Sequence, residues 1–179
     1  MTKKLKKSLI LCLTVILIAN YSIPVFAADA VQEAPIISID AQKVVNTTGK
    51  TLDEVLGING MMRAKEMPDQ TWDWGNGNYS GTFEIDYEYS YTKYYFTGYS
   101  QYYVDTKASR DKWTAASDKY TVYLMKGSNQ GTIVTSYEFD STDWTKVRFY
   151  NLDSGTKYAV CFAKANDGST LSGEFIVSH

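Results

Sequence analysis

The stretch from Val147 to Ser178 constrains the fold more than any other part of the sequence. It reads as three short apolar strands separated by two turn clusters, Asp153-Ser154-Gly155 and Asn166-Asp167-Gly168. Turn residues between apolar runs are the mark of a β-hairpin, so each cluster is expected to join neighbouring strands. Glycine adopts positive φ without a Cβ clash, so Gly155 and Gly168 are the expected closing residues. Beyond the first turn, Tyr158, Val160 and Phe162 alternate with Ala159 and Cys161, and should point together into a core.

The same period recurs upstream. From Gly81 to Tyr91, Phe83, Ile85, Tyr87, Tyr89 and Tyr91 alternate with Glu84, Asp86, Glu88 and Ser90. One strand would carry the apolar set on one face and the acids on the other; a helix would scatter both. Tyr94–Tyr99 and Gln101–Thr106 read as two strands, or as one bent at Gly98. Lys107 to Lys119 is polar around Trp113 and reads as a loop, with or without a helical turn in it. Tyr120–Lys126, Thr132–Phe139 and Trp144–Asn151 complete the set. The total is about eight short strands with turn signals roughly every 8–12 residues, which predicts an all-β antiparallel β-sandwich or barrel.

Residues 28–71 differ. They hold no Tyr or Phe and carry Pro35 and Pro68. Thr51-Leu52-Asp53-Glu54 has capping-box spacing, so one or two helical turns should start there and stop at Gly57. This segment reads as an N-terminal arm or linker ahead of a sandwich over 72–179, or alternatively as a removable propeptide. Residues 1–27 read as a secretory signal: Lys3, Lys4, Lys6 and Lys7, an apolar run from Leu9 to Ala19, then Val25-Phe26-Ala27. The expected location is therefore secreted and extracellular. All 20 acidic residues follow that segment, so its removal would make the chain more acidic than its formal charge of −2. That balance argues against nucleic acid as a partner. No later run reaches the ~18 apolar residues of a membrane helix. Cys161 would be the one cysteine left, so no intrachain disulfide is expected and apolar burial must hold a monomeric domain.

Leu152-Asp153-Ser154-Gly155-Thr156-Lys157-Tyr158 resembles the tyrosine corner of fibronectin type III-like domains, Leu-x-Pro-Gly-Thr-x-Tyr, with Ser154 in place of the proline. With Tyr94-Tyr95-Phe96-Thr97-Gly98 and Leu171-Ser172-Gly173, the region also looks like small secreted β-sandwich proteins of Gram-positive bacteria similar to pre-peptidase C-terminal modules. The resemblance implies an immunoglobulin/fibronectin III-like sandwich over about residues 79–178 and a tyrosine hydroxyl bonded back to the backbone. It implies no catalytic residue.

Chemistry is scarce. The single histidine is His179, at the end of the sequence, where fraying would deprive an imidazole of its frame. One thiol and one imidazole do not make a zinc site, and no phosphate loop or dinucleotide fingerprint is present. No cofactor, metal or catalytic residue is therefore expected. Glu84, Asp86 and Glu88 would sit ~6.5–7 Å apart along a strand, near the ~6.5–9.5 Å of an inverting glycosidase. They read first as a solvated, edge-protecting face, with a carboxylate hydrolase as the alternative. Asp140-Ser141-Thr142-Asp143 and Asn166-Asp167-Gly168 offer oxygens to calcium but lack calcium-loop spacing.

The aromatic surplus is the most informative functional feature. Of 15 tyrosines, only Tyr21 and Tyr158 lie outside the span Tyr79–Tyr150. A small sandwich cannot bury them all, so Trp72, Trp74, Tyr79, Tyr94, Tyr95, Tyr102 and Tyr103 are candidate surface rings for an extracellular glycan or protein partner. The expected function is a non-enzymatic binding or accessory module. A secreted toxin or bacteriocin-like protein, with residues 28–71 as its propeptide, is the other reading.

Overall fold

A computed structural model describes residues 36–38, 49–57, 67–86, 89–111, 119–128, 131–139 and 142–179. Its strands are β1 (Ile36–Ser38), β2 (Gln70–Thr71), β3 (Tyr79–Ile85), β4 (Tyr89–Tyr91), β5 (Tyr94–Tyr95), β6 (Gln101–Arg110), β7 (Tyr120–Lys126), β8 (Thr132–Phe139), β9 (Thr145–Tyr150), β10 (Tyr158–Ala163) and β11 (Leu171–Ser178). One short helix, α1, spans Leu52–Leu56. The strands form a five-stranded sheet ordered β1-β9-β6-β11-β3, a four-stranded sheet ordered β4-β10-β7-β8, and a ribbon of β2 with β5. Within the two larger sheets every pairing is antiparallel except β1 on β9. The fold is thus an all-β sandwich, as the alternation predicts.

Period-two patterning explains the packing. β6 buries Tyr102, Val104, Thr106 and Ala108 and turns the intervening residues outward; β9 does the same with Thr145, Val147 and Phe149. These meet Tyr120, Val122 and Leu124 of β7 and Tyr158, Val160 and Phe162 of β10. The expected inward set of β10 is thus in the core. Phe83 stacks flat on Phe162 across the gap, with centroids 4.2 Å apart and planes 6° from parallel. Burying each such side chain contributes ~1.5–3 kcal/mol.

Two glycines make room for two of the rings. In the register of β3 with β11, Gly81 faces Phe175 and Gly173 faces Phe83. A Cβ on Gly81 would lie 2.8 Å from Cζ of Phe175, and one on Gly173 would lie 2.5 Å from the carbonyl oxygen of Lys107. Each ring therefore lies across the backbone of a glycine on the neighbouring strand.

The four-stranded sheet is buried on its other face as well. Tyr89, Tyr95, Tyr123, Met125, Ile133, Ala159, Cys161 and Ala163 form a second core with Leu52 and Met67. Leu52 belongs to α1, whose ends are as expected. Thr51 and Glu54 form the reciprocal capping box, and Gly57 closes the helix in the left-handed region at φ 69°. Nearby, the Gly49 N–H donates to the Ile133 carbonyl and the Ile133 N–H to the Lys50 carbonyl, at 2.7 and 2.8 Å. So the described parts of 28–71 cover one sheet and, through β1, extend the other.

Several local expectations are corrected. The Gly81–Tyr91 alternation is not one strand. It leaves the five-stranded sheet after Ile85 and resumes at Tyr89 in the other sheet. Phe83 and Ile85 enter the inter-sheet core, whereas Tyr89 and Tyr91 join the second core. Tyr87 and Glu88 lie outside the described residues. The two turns of the Val147–Ser178 stretch do not close hairpins, because β9 and β11 lie in one sheet and β10 in the other. Gly168 takes positive φ as expected, whereas Gly155 does not; ahead of the first turn, Asn151 does so at the end of β9, at φ 59°. Gly155 instead donates its N–H to Oδ1 of Asp153 at 2.9 Å. β6 continues through Arg110, into the span read as a loop; Trp113 lies outside the described residues. Tyr94–Tyr99 contributes only β5 and a single bridge from Phe96 to Tyr158.

Candidate functional site

The starts of β3 and β6 and the ends of β9 and β11 lie at the same end of the five-stranded sheet, as their registers require. A turn rich in glycine and asparagine reaches over that end. Asp73 caps it by accepting the Gly75 N–H at 2.9 Å, and Trp74–Asn76 makes one turn of 3-10 helix. The Trp72 N–H donates to the Tyr95 carbonyl at 2.8 Å. Both indole N–H groups are engaged by backbone carbonyls: Trp72 Nε1 donates to Gly77 and Trp74 Nε1 to Thr97, each at 2.9 Å. The rings are thereby oriented, and what they leave to the outside is π-surface and edge rather than a donor.

These indoles gather four of the seven candidates. Trp72 lies 4.9 Å from Tyr79 and 5.3 Å from Tyr94, centroid to centroid, and Tyr79 lies 5.4 Å from Tyr94. Tyr79 and Trp74 both contact buried Phe96, at 5.7 and 5.6 Å. On the other side of Phe96, Trp74 gathers a second group, Tyr99 at 5.7 Å and His179 at 4.8 Å. His179 stacks on Tyr99 with centroids 3.5 Å apart and planes 13° from parallel. The imidazole expected to fray is therefore held between two rings. Trp72, Trp74, Tyr79, Tyr94 and Tyr99 are half-buried and His179 is exposed. Rings about 5 Å apart touch one another, so each group offers a joined aromatic surface. Lys93 sits at its margin, with Nζ 5.7 Å from the Tyr94 ring.

The other three candidates fall elsewhere. Tyr95 and Tyr102, at 7% and 0% exposure, are core residues and present no binding surface. The Tyr95 hydroxyl donates to the Gly127 carbonyl at 2.9 Å. Tyr102 accepts from the Tyr99 N–H at 3.3 Å, and burial pushes its hydroxyl up to about 12. Tyr103 points out of the opposite face of β6, beside Lys146 and Arg148. Tyr99 and His179 were not legible as members of the patch. Neither has a sequence signal beyond being aromatic, and His179 is far along the chain from every other ring of the patch.

The carboxylates do not form the row read from the sequence. Glu84 faces outward from β3, but Asp86 lies past the end of that strand and accepts from the Thr170 hydroxyl at 2.9 Å. Glu88 is outside the described residues. Asp167 is engaged too: it meets Arg110 at 2.6 Å and Lys164 at 3.2 Å, and accepts from the Ser169 hydroxyl at 2.6 Å. Burial raises its carboxyl, yet hydrogen bonds from Ser169 and Lys164 outweigh that and hold it well below the usual carboxylate range. Tyr158 makes a further structural contact, accepting from the Asp153 N–H at 3.0 Å.

Comparison with protein-family models and with curated proteins gives no match for this chain.

Proposed function

We propose that this protein is a secreted, non-enzymatic binding module, and that the end patch of Trp72, Trp74, Tyr79, Tyr94, Tyr99 and His179 is where it meets its ligand, an extracellular glycan. The carrying observation is that rings distant in sequence gather in two touching groups, Trp72 with Tyr79 and Tyr94, and Trp74 with Tyr99 and His179, both packed on buried Phe96, and that backbone hydrogen bonds fix both indoles. Amphipathic rings fixed in advance lose little entropy when a sugar face stacks on them. The lysine-rich, then apolar, start of the sequence supports export. The Tyr158–Asp153 contact supports the likeness to fibronectin type III-like and pre-peptidase C-terminal modules. Against the propeptide reading stand Leu52 and Met67, at 2% and 8% exposure in the second core. Against the hydrolase reading stands the broken row of acids.

Calorimetry of the purified protein against a broad panel of neutral cell-wall and surface glycans tests the proposal. At least one glycan should bind, and Trp72→Ala should weaken it about tenfold or more. Silence across the panel, or binding indifferent to Trp72→Ala in a folded variant, would remove the reading.

A further inference from the structure

The outer face of β6 and β9 carries a second, chemically distinct surface. Antiparallel register sets its residues in cross-strand rows: Gln101 with Tyr150, Tyr103 with Arg148, and Asp105 with Lys146. Beyond the last row, Lys107 lies over the Trp144 ring, with Nζ 5.0 Å from its centroid. The face therefore sets cations beside rings: Lys146 and Arg148 beside Tyr103, Arg148 beside Tyr150 and Lys107 over Trp144. Arg148 is the centre of it. Its Cζ lies 5.9 Å from the Tyr103 ring and 5.5 Å from the Tyr150 ring. Its Nε and Nη2 both donate to Oε1 of Gln101, at 3.1 and 2.5 Å.

That environment is unusual in its charge. Lys146 meets Asp105 at 3.5 Å and Lys107 meets Glu174 at 3.3 Å. Arg148 meets only a neutral amide and two neutral rings, and no carboxylate among the described residues pairs with it. A guanidinium has five N–H groups, and Gln101 engages the Nε side of the fork. The Nη1 end remains, with donors spaced to take both oxygens of one planar carboxylate. The flanking tyrosines hold the guanidinium in place and add flat surface beside it.

We infer that this face binds a uronic-acid polysaccharide, with Arg148 taking a sugar carboxylate, Gln101 positioning Arg148, and Tyr103 and Tyr150 flanking the sugar ring. Charge complementarity selects the occupant. On this face Lys107 and Lys146 are each met by an acid, Glu174 and Asp105, whereas Arg148 has no paired acid among the described residues and is the cation left to meet an anionic sugar. A uronate carboxylate presents two oxygens at the spacing the remaining fork can take bidentately. This surface lies on the outer face of the sheet and shares no residue with the end patch, and the inference stands without it.

Calorimetry with oligogalacturonate tests it, and the fully methyl-esterified oligomer, alike except for its charge, is the control. The native protein should bind the free acid and not the ester, with affinity falling as salt is added. Arg148→Met should weaken binding at least about tenfold. Arg148→Lys, which keeps the charge and loses the fork, should weaken it at least about threefold. Trp72→Ala should leave this binding unchanged, whereas Arg148→Met should leave any neutral glycan bound at the end patch unaffected. Circular dichroism of each variant checks that it is folded. Four results would each overturn the inference: no binding of oligogalacturonate, equal binding of the ester, full affinity in both folded Arg148 variants, or tighter Arg148-dependent binding of dextran sulfate.

Discussion

The two sheets of this sandwich use their strands differently. The five-stranded sheet has one buried face. Along β6 from Gln101 to Ala108, and along β9, each inward residue is buried and each outward neighbour is half-exposed. The four-stranded sheet is covered twice, so all six residues of β10 are buried, as are Tyr120 and the run Val122–Met125 of β7. One layer of β10 side chains, Tyr158, Val160 and Phe162, meets the opposite sheet. The other, Ala159, Cys161 and Ala163, meets the cover supplied by Leu52 and Met67. Side-chain size follows this division. Large rings fill the deep space between sheets, while small residues on β10 leave room for the cover to lie close. The difference teaches that a singly covered sheet keeps a whole face for recognition, whereas the cover over β10 and most of β7 leaves the other sheet exposed chiefly along β8. The Tyr103–Arg148–Tyr150 surface lies on the first.

Substitutions of one kind, placed in the different layers, test the comparison. Phe162→Ala should have the largest effect. Its ring is wholly buried against Phe83 and Phe175, so urea unfolding should show a loss of about 3–5 kcal/mol. A loss below about 1 kcal/mol would mean that the inter-sheet core does not carry the fold.

Asp167→Asn comes next. It leaves the side chains of Arg110 and Lys164, at 5% and 0% exposure, without their shared carboxylate. A loss of about 3 kcal/mol at neutral pH is expected. The folded-state pKa of Asp167 is depressed. Its contribution is therefore complete above the unfolded carboxylate value of about 3.9 and declines as pH falls below it. The gap between native and Asp167→Asn stability should accordingly narrow in strong acid. A gap that widened there would reverse the assigned sign.

Leu52→Ala probes the outer cover and should cost about 2–3 kcal/mol. Ser172→Ala, on the solvated face of β11, should stay within about 0.5 kcal/mol. If Leu52→Ala were as mild as Ser172→Ala, the second face of the four-stranded sheet would not depend on α1, and the contrast between the sheets would collapse.

Much of the local structure was written in nearby residues. The capping box of Thr51 and Glu54, the stop at Gly57, the positive φ of Gly168 and the inward set Tyr158, Val160 and Phe162 each depend on residues a few positions apart. Steric and hydrogen-bonding preferences over that range are properties of the chain itself. The candidate site was legible only in part. Excess aromatics announced a surface and named Trp72, Trp74, Tyr79 and Tyr94, but placed Tyr95 and Tyr102 beside them when both are core. Period two says that neighbouring side chains point opposite ways; it does not say which side is covered, or by what. For the same reason nothing in Gly81–Tyr91 marked the crossing after Ile85. Only the tertiary structure decided which sheet each strand joins, that His179 lies on Tyr99, and that Arg148 stands between two tyrosines. Those outcomes depend on contacts between residues far apart in sequence, and their energies exist only once both sheets have formed.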